Sequence, residues 1–339
     1  MTNPRHELIT LLRGAFACPV LSFLGRRGFA ESLTDGGLRF DANDRSADAL
    51  VALLHYLVAL GLLYEEKPLQ FRVTDLGSKV LHRFGAFSLL DSYNDYFRDL
   101  DWALPASTLP RPSVNRERNV IGSGQLHARK FFPEVLTHLA TASYEHLTDL
   151  GCGDGTFIHD ALAVQPTLTV TAVDLSEQAI DLVRKRFSSH KPQPTISTAI
   201  SNAREVSTWA PSVTAGPEAR HLITMWFLLH EIFDGVVAHL ADFFRQLRRH
   251  FPAANIAFGE LVRLSPDQLA ASRDESIMPE YLLFHALSGQ HPLSEQELSE
   301  LLEQIPYRLV GRKAYDSVLH GARAIPSSVV CILTPDSTG

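Results

Sequence analysis

The fold of this chain is decided by the stretch Thr148-Asp149-Leu150-Gly151-Cys152-Gly153-Asp154-Gly155-Thr156. The pattern predicts the end of a strand, a tight glycine loop, and a helix that continues to Ala163. Glycine allows the backbone to turn sharply, and it allows a ligand to approach without an intervening side chain. A strand–loop–helix junction of this kind in an open α/β sheet is where nucleotide-like ligands bind.

A second strand and an acidic residue follow at the spacing of a ribose-binding site. The strand covers residues 168–173 and ends at Asp174, which lies 19 positions after Gly155. Its carboxylate is therefore placed to accept hydrogen bonds from ribose hydroxyls. Ser176 is the expected N-cap of the next helix. Thr156 takes the place of the third glycine of a dinucleotide loop, so the pattern differs from Gly-x-Gly-x-x-Gly. A Rossmann domain for NAD or another nucleotide is the alternative interpretation.

Together, the glycine loop and the acidic strand end resemble the first two motifs of the class I S-adenosylmethionine-dependent methyltransferases. The resemblance implies a Rossmann-like α/β domain that binds S-adenosylmethionine, with Asn202 near the adenine. The cofactor-binding residues expected on this basis are Asp149, Gly151, Gly153, Gly155, Asp174, Leu175, Asn202 and Ala203.

Composition excludes several other classes of protein. The chain has 339 residues and a net charge of −7, so nothing indicates a nucleic-acid surface. Its three cysteines are widely separated, which excludes a disulfide framework and fits a reducing cytoplasm. No stretch approaches about 20 uninterrupted apolar residues, so no membrane-spanning helix is expected. Glu7 and Arg13 argue against a signal peptide.

Residues 1–102 are predicted to form a mostly helical, winged-helix-like domain, and residues 103–339 the catalytic domain. Leu8, Leu11, Leu12 and Phe16 recur at helical spacing. A helix beginning at Ser46 precedes two short strands around a turn at Lys67-Pro68. The unit is not basic, which argues against DNA binding. It resembles the N-terminal domain of small-molecule methyltransferases, and this resemblance implies a homodimer and a cover for the substrate.

An acidic stripe is predicted on one face of a helix over residues 88–102. Asp91, Asp95 and Asp99 occur four residues apart. Two interpretations remain open for this pattern. The stripe is either a solvated helix face or an acidic wall that faces a cationic substrate.

Functional side chains follow the later strands of the predicted parallel sheet. Asn202, His230 and Glu260 each come at or just after the carboxyl end of a strand. In an open parallel sheet, ligand-binding groups gather beyond these ends. His230, followed by Glu231, is therefore expected where an acceptor substrate meets the methyl group. It is either a general base for a hydroxyl or a metal ligand.

A second histidine favours the metal. His285 lies in an apolar segment before Gly289, and the whole pattern resembles the metal-dependent 2-oxo-acid C-methyltransferases of the phenylpyruvate C3-methyltransferase type. The resemblance rests on the His230-acid pair, the His285-x-x-x-Gly289 segment, the stretch 247–252, and Ala314-Tyr315-Asp316-Ser317. Glu231 departs from the aspartate of that family. The alternative for His285 is a core histidine bonded to the backbone.

The resemblance implies methylation at C3 of a 2-oxo acid, with His230 and His285 holding one iron or zinc ion. A metal chelated by the keto and carboxylate oxygens would make the C3 hydrogens more acidic. Glu231 or a metal-bound water could remove the proton, and Arg116 or Arg118 could bind the substrate carboxylate. The acidic stripe favours 5-guanidino-2-oxopentanoate. The alternatives are an O-methyltransferase with His230 as base and a winged-helix regulator that senses S-adenosylmethionine.

Overall fold

The computed structural model describes residues 4–41, 45–128, 130–216, 219–272, 277–315, 318–320 and 323–336. The chain divides into two compact units, Met1–Leu126 and His127–Gly339.

The first unit is mainly helical and contains one small antiparallel sheet. Its elements are α1 (Pro4–Arg26), α2 (Phe29–Asp35), β1 (Leu38–Arg39), α3 (Asp48–Ala59), β2 (Leu63–Lys67), β3 (Gln70–Val73), α4 (Asp75–Leu81), α5 (Phe84–Asp91), α6 (Asn94–Arg98) and α7 (Arg116–Ala128). The sheet has the strand order β1-β3-β2, so the expected hairpin of β2 and β3 follows the helix α3. Thr74 caps α4, since its hydroxyl accepts a hydrogen bond from the Gly77 amide at 3.0 Å.

The boundary of this unit lies later in the chain than the expected 102/103, because α7 packs closely on α5. A Cβ atom added at Gly122 would lie 2.7 Å from the carbonyl oxygen of Gly85. The two helices therefore approach at a distance that only glycine permits. Arg118 Nη1 also lies 3.1 Å from Asp91 Oδ2.

The apolar residues that marked α1 in the sequence are exposed. Leu11 and Phe16 are 74% and 68% exposed, and Leu8 and Leu12 are also exposed, whereas Leu21 and Leu24 enter the core. The helix was predicted correctly, but none of the residues that the structure describes covers its N-terminal apolar face. By length and mean hydropathy, Leu8–Arg26 is also apolar enough to cross a membrane, contrary to the expectation from uninterrupted runs.

The predicted acidic stripe does not exist as one helix face. The segment breaks into α5, α6 and a 3-10 turn, Leu100–Ala103, so the three aspartates do not share a helix. Asp91 is buried and accepts hydrogen bonds from Ser22 Oγ and Asn94 Nδ2, at 2.8 and 2.5 Å. Asp99 accepts from the Asp101 amide. Because Arg118 also pairs with Asp91, the stripe gives no support for a guanidino substrate.

The second unit contains a mixed sheet between helices. Its elements are α8 (Phe132–Ala142), β4 (His146–Leu150), α9 (Thr156–Val164), β5 (Thr169–Asp174), α10 (Glu177–Phe187), β6 (Ile196–Ile200), α11 (Val206–Trp209), β7 (His221–Trp226), α12 (Leu229–Ile232), α13 (Val237–His250), β8 (Asn255–Arg263), α14 (Pro266–Ser272), α15 (Met278–Ser288), β9 (Leu293–Ser294), α16 (Glu295–Gln304), β10 (Tyr307–Tyr315), β11 (Val318–His320), β12 (Arg323–Ile325) and β13 (Ser328–Pro335). Ser176 caps α10 as expected, and Ser294 forms a capping box with Glu297.

The strand order of the large sheet is β10-β13-β8-β7-β4-β5-β6, with β9 beside the end of β8. Strands β4 to β8 are parallel, and β13 and β10 complete the sheet in antiparallel pairing. The chain runs outward from β4 to β6 and then returns to β7. This reversal creates a crevice at the carboxyl ends of β4 and β7, where an open α/β sheet binds its ligand. The Rossmann-like fold is therefore confirmed.

One half of one sheet face is unusually polar. The polar ladder consists of His146, Thr148, Thr171, Ser197 and His221, at the amino ends of four neighbouring strands. His146 Nε2 lies 3.1 Å from Thr171 Oγ1, and His221 Nε2 lies 2.9 Å from Thr148 Oγ1. Ser197 Oγ donates to the carbonyl of Ser212. Each side chain of the polar ladder thus has a hydrogen-bond partner.

We predict that the two histidines of the polar ladder make the fold sensitive to acid. Burial lowers the pKa of His146 to about 4 and of His221 to about 3, below the usual value near 6.5. Below pH 6.5 the unfolded chain takes up protons on these histidines, whereas the folded chain keeps them neutral. The free energy of unfolding therefore decreases as pH falls below 6.5, by about 2 kcal/mol per histidine at pH 5. Urea unfolding at pH 7, 6 and 5 measures this loss. The doubly substituted His146→Gln/His221→Gln protein should show a shallower pH dependence, and an equal slope would contradict the assignment.

Candidate active site

The glycine loop after β4 has the conformation that its sequence predicts. Gly151 and Gly155 have φ angles of 67° and 75°, in the left-handed region that favours glycine. A Cβ atom at Gly151 would lie 3.2 Å from the Leu228 side chain, and one at Gly155 would lie 3.2 Å from Val183. The loop is therefore held between the segment after β7 and helix α10.

Asp174 connects the loop to the end of β5. Its Oδ2 atom accepts a hydrogen bond from the Gly153 amide at 3.0 Å, and its Oδ1 atom accepts one from the Ser176 amide at 2.8 Å. These bonds fix the carboxylate at the rim of the crevice. A carboxylate has about four lone-pair sites, so the same group can also accept from a ribose diol.

Arg186 of α10 stabilises the far side of the loop, a role that the sequence did not reveal. Its guanidinium pairs with the Asp154 carboxylate, and its Nε atom donates to the Asp154 carbonyl at 2.8 Å. Asp154 Oδ1 in turn accepts from the hydroxyl of Thr156 at 2.6 Å. An arginine within an amphipathic helix gives no sequence signal that it reaches a loop 32 positions away.

The remaining expected cofactor residues differ in their surroundings. Asp149 is buried, and its Oδ1 atom accepts from Thr224 Oγ1 at 2.6 Å. Leu175 is exposed beside Asp174, and Ala203 is buried. The side-chain oxygen of Asn202 accepts a hydrogen bond from the Arg204 amide at 3.0 Å, which forms a local turn.

His230 is positioned by a strained turn and a buried carboxylate. The turn after β7 places Phe227 at φ 53°, a sparsely populated conformation for an aromatic residue. His230 Nδ1 then lies 2.7 Å from Glu260 Oε1, and the His230 amide donates to Glu260 Oε2 at 3.2 Å. The carboxylate also accepts from the Leu261 amide. The sequence placed Glu260 at this sheet edge but did not identify it as the partner of His230.

The structure brings His230 and His285 together, although they are 55 positions apart. Their rings are perpendicular, with centroids 4.6 Å apart, and both side chains are buried. His285 Nδ1 lies 2.6 Å from the Tyr281 carbonyl oxygen. That contact requires a proton on Nδ1, so the neutral ring carries its lone pair on Nε2. Burial, followed by the charge of His230, lowers the pKa of His285 to about 3.

His127 is a third buried histidine near this pair, and no sequence motif marks it. Its ring stacks on Phe227 at a centroid distance of 3.6 Å, and Phe131 contacts both rings at their edges. Burial, followed by the charge of His230, lowers the pKa of His127 to about 3. Within the described residues, no group of three or more His, Cys, Asp or Glu side chains is arranged to hold a metal.

The other expected catalytic residues are placed as follows. Glu231 is exposed, and its Oε1 atom accepts a hydrogen bond from Gln290 Nε2 at 3.0 Å. Arg116 and Arg118 lie on α7 in the first unit, where Arg118 pairs with Asp91. Tyr315 ends β10 and contacts Phe131, whereas Asp316 and Ser317 lie outside the described residues.

The fold and a sequence match together define the class of this protein. Residues 148–252 match the family described as a methyltransferase domain. This region contains the glycine loop, Asp174 and His230. Residues 148–252 therefore form a methyltransferase domain, and the prediction of an S-adenosylmethionine-dependent methyltransferase is confirmed at this level.

Solved structures with the same fold cover almost the whole chain. An O-methyltransferase family protein from Burkholderia thailandensis is 15% identical, with a TM-score of 0.59 over 100% of both chains. Human N-acetylserotonin methyltransferase is 17% identical, with a TM-score of 0.59 over 99% of each chain. Mitomycin 7-O-methyltransferase is 15% identical, with a TM-score of 0.56 over 98% of each chain. No curated protein matches this chain. At these identities the likeness establishes the fold.

We predict that the Asp174 carboxylate is needed for cofactor affinity. Asp174→Ala should weaken S-adenosylmethionine binding by roughly 10- to 100-fold, because hydrogen bonds to a charged group contribute about 1.5–3 kcal/mol. Isothermal titration calorimetry measures the affinity. Asp181→Ala is the matched control, since Asp181 is an exposed carboxylate on α10 that pairs with Arg184. Equal affinities in both variants would remove Asp174 from the site.

Proposed function

We propose that this methyltransferase transfers the methyl group to C3 of a 2-oxo acid bound by a metal at His230 and His285. The observation that carries this proposal is the pair of buried, perpendicular imidazoles, each hydrogen-bonded through Nδ1. An O-methyltransferase needs only one such base. A second buried histidine with the same arrangement has a direct use as a second ligand.

The donor chemistry of the pair fits a transition metal. Histidine ligands usually donate their second N–H to a carboxylate or a backbone carbonyl, which here are Glu260 and Tyr281. A metal would be held by the Nε2 atoms of the two rings, whose centroids lie 4.6 Å apart. Iron and zinc both suit imidazole ligands.

Two protein ligands would leave coordination positions for the keto and carboxylate oxygens of the substrate. A bound metal supplies Lewis acidity, which makes the C3 hydrogens of a 2-oxo acid more acidic. Glu260 holds the Nδ1 proton of His230 and fixes the ring orientation. Glu231, positioned by Gln290, is the proposed acceptor of the C3 proton. Arg116 or Arg118 as the partner of the substrate carboxylate stays a prediction.

Methyl transfer to a hydroxyl is the second candidate function, and the His230–Glu260 pair favours it. A histidine whose Nδ1 proton is held by a buried carboxylate can accept a hydroxyl proton at Nε2. Two of the structures with this fold are also described as O-methyltransferases. In this mechanism His285 supports the ring of His230 by packing alone.

We predict that His230 and His285 are both needed for a bound metal. Either His230→Ala or His285→Ala should lose the metal and methyl transfer to a 2-oxo acid together, because each removes one of two protein ligands. Both variants should still bind S-adenosylmethionine, since the glycine loop is unchanged. Mass spectrometry of the metal content and calorimetry of cofactor binding provide these measurements.

His291→Ala is the matched control, because this histidine is exposed and the hydrogen bond that it donates to the His230 carbonyl comes from its backbone amide. It should keep both metal and activity. A wild-type protein that methylates a hydroxyl without detectable metal, and tolerates His285→Ala, would instead establish the O-methyltransferase.

We further propose a homodimer formed through the exposed apolar face of α1. Contiguous exposed apolar patches mark interaction sites, and Leu11 and Phe16 are the most exposed of the four apolar side chains of this face. Leu11→Glu/Phe16→Glu should convert a dimer into a monomer in light scattering, because charged side chains oppose burial of that face. Val164→Glu, at an exposed site in the second unit, is the control. A wild-type monomer would contradict the proposal.

A further inference from the structure

Asp149 is a buried carboxylate in an unfavourable environment. It is 1% exposed on the central strand β4, between the parallel strands β5 and β7. The structure gives its side chain one hydrogen bond, from the neutral hydroxyl of Thr224. Among the described residues, no basic side chain is hydrogen-bonded to it. A buried carboxylate without a cation has a strong tendency to take up a proton.

The groups around Asp149 reinforce this tendency. Asp174, at the end of the neighbouring strand β5, adds a second negative charge. Its two oxygens accept hydrogen bonds from the backbone amides of Gly153 and Ser176. Arg186 lies beyond the loop and pairs with Asp154. Burial, followed by nearby carboxylates, raises the pKa of the Cys152 thiol well above its usual value, so this group stays neutral.

The pKa of Asp149 is raised to about 7, mainly by burial and further by Asp174, against the opposing hydrogen bond from Thr224. Without a cationic ligand beside it, this carboxyl group is therefore partly protonated at neutral pH. S-adenosylmethionine brings a sulfonium and an ammonium group, and opposite charges stabilise an ionised carboxylate. The demethylated product no longer has the sulfonium charge.

We infer that Asp149 is a proton-linked charge partner of the methyl donor. It loses its proton to solvent when S-adenosylmethionine binds, and it recovers a proton when the sulfonium becomes a neutral thioether. The linkage makes the site bind the charged donor in preference to the neutral product as pH rises. This inference requires only that the protein binds S-adenosylmethionine as a methyltransferase. It does not depend on the methyl acceptor, so it holds even if the proposed methylation at C3 is wrong.

Calorimetry with S-adenosylmethionine between pH 6 and 7.5 tests this inference. Affinity should rise about tenfold over this range, because only the ionised carboxylate accepts the cation. At pH 7, titrations in two buffers of different ionisation enthalpy should show release of about half a proton per bound cofactor. S-adenosylhomocysteine should show a weaker dependence. Wild-type affinity that does not change with pH would overturn the inference.

Two variants separate a proton linkage from a structural role. Asp149→Asn keeps the shape of the side chain and should bind weakly, with no proton release above that of the cofactor itself. Thr224→Val removes the hydroxyl that stabilises the ionised form, and it should move the midpoint of the pH dependence upward. An Asn variant that keeps the wild-type slope, or a Val variant with an unchanged midpoint, would contradict the assignment.

Discussion

The hydrogen bond between the Gly153 amide and the Asp174 carboxylate is the contact on which the cofactor site depends. It joins the glycine loop after β4 to the carboxyl end of β5. The glycine loop and the acidic strand end therefore line the same part of the crevice. The bond requires the positive φ angles of the loop, and these angles require glycine. Arg186 adds a charged contact on the far side of the loop, where it holds Asp154. The loop geometry is thus set before any ligand arrives.

Buried hydrogen-bond acceptors also fix the two histidines of the candidate active site. Glu260 accepts from the ring and amide of His230, and the Tyr281 carbonyl accepts from His285. Burial keeps the imidazole of His285 neutral, which both metal ligation and proton acceptance require. The strained Phe227 turn immediately precedes this site, and strain of that kind is retained where surrounding contacts determine the conformation. Here the stacked His127 and the edge of Phe131 provide those contacts.

Local periodicity and turn chemistry predicted the sheet and the glycine loop well. The Ser176 cap and the acidic strand end at Asp174 both occur where the sequence predicts them. The acidic stripe failed because four-residue spacing implies a shared face only if the helix is continuous. Here the helix breaks after Asp91. The apolar spacing of α1 identified a helix but could not tell a buried face from an exposed one, because burial depends on what packs against it.

The contacts between residues that are distant in the chain could not be predicted from the sequence. Arg186, His127 and Thr224 have no motif of their own, and each acts through a neighbour that only the topology supplies. The convergence of His230 and His285 differs, because a resemblance of the surrounding segments anticipated it. The structure adds the hydrogen bonds that fix both rings. A core histidine bonded to the backbone and a metal ligand are therefore not opposed descriptions of His285, since the Tyr281 contact that satisfies Nδ1 also directs the lone pair of the neutral ring to Nε2.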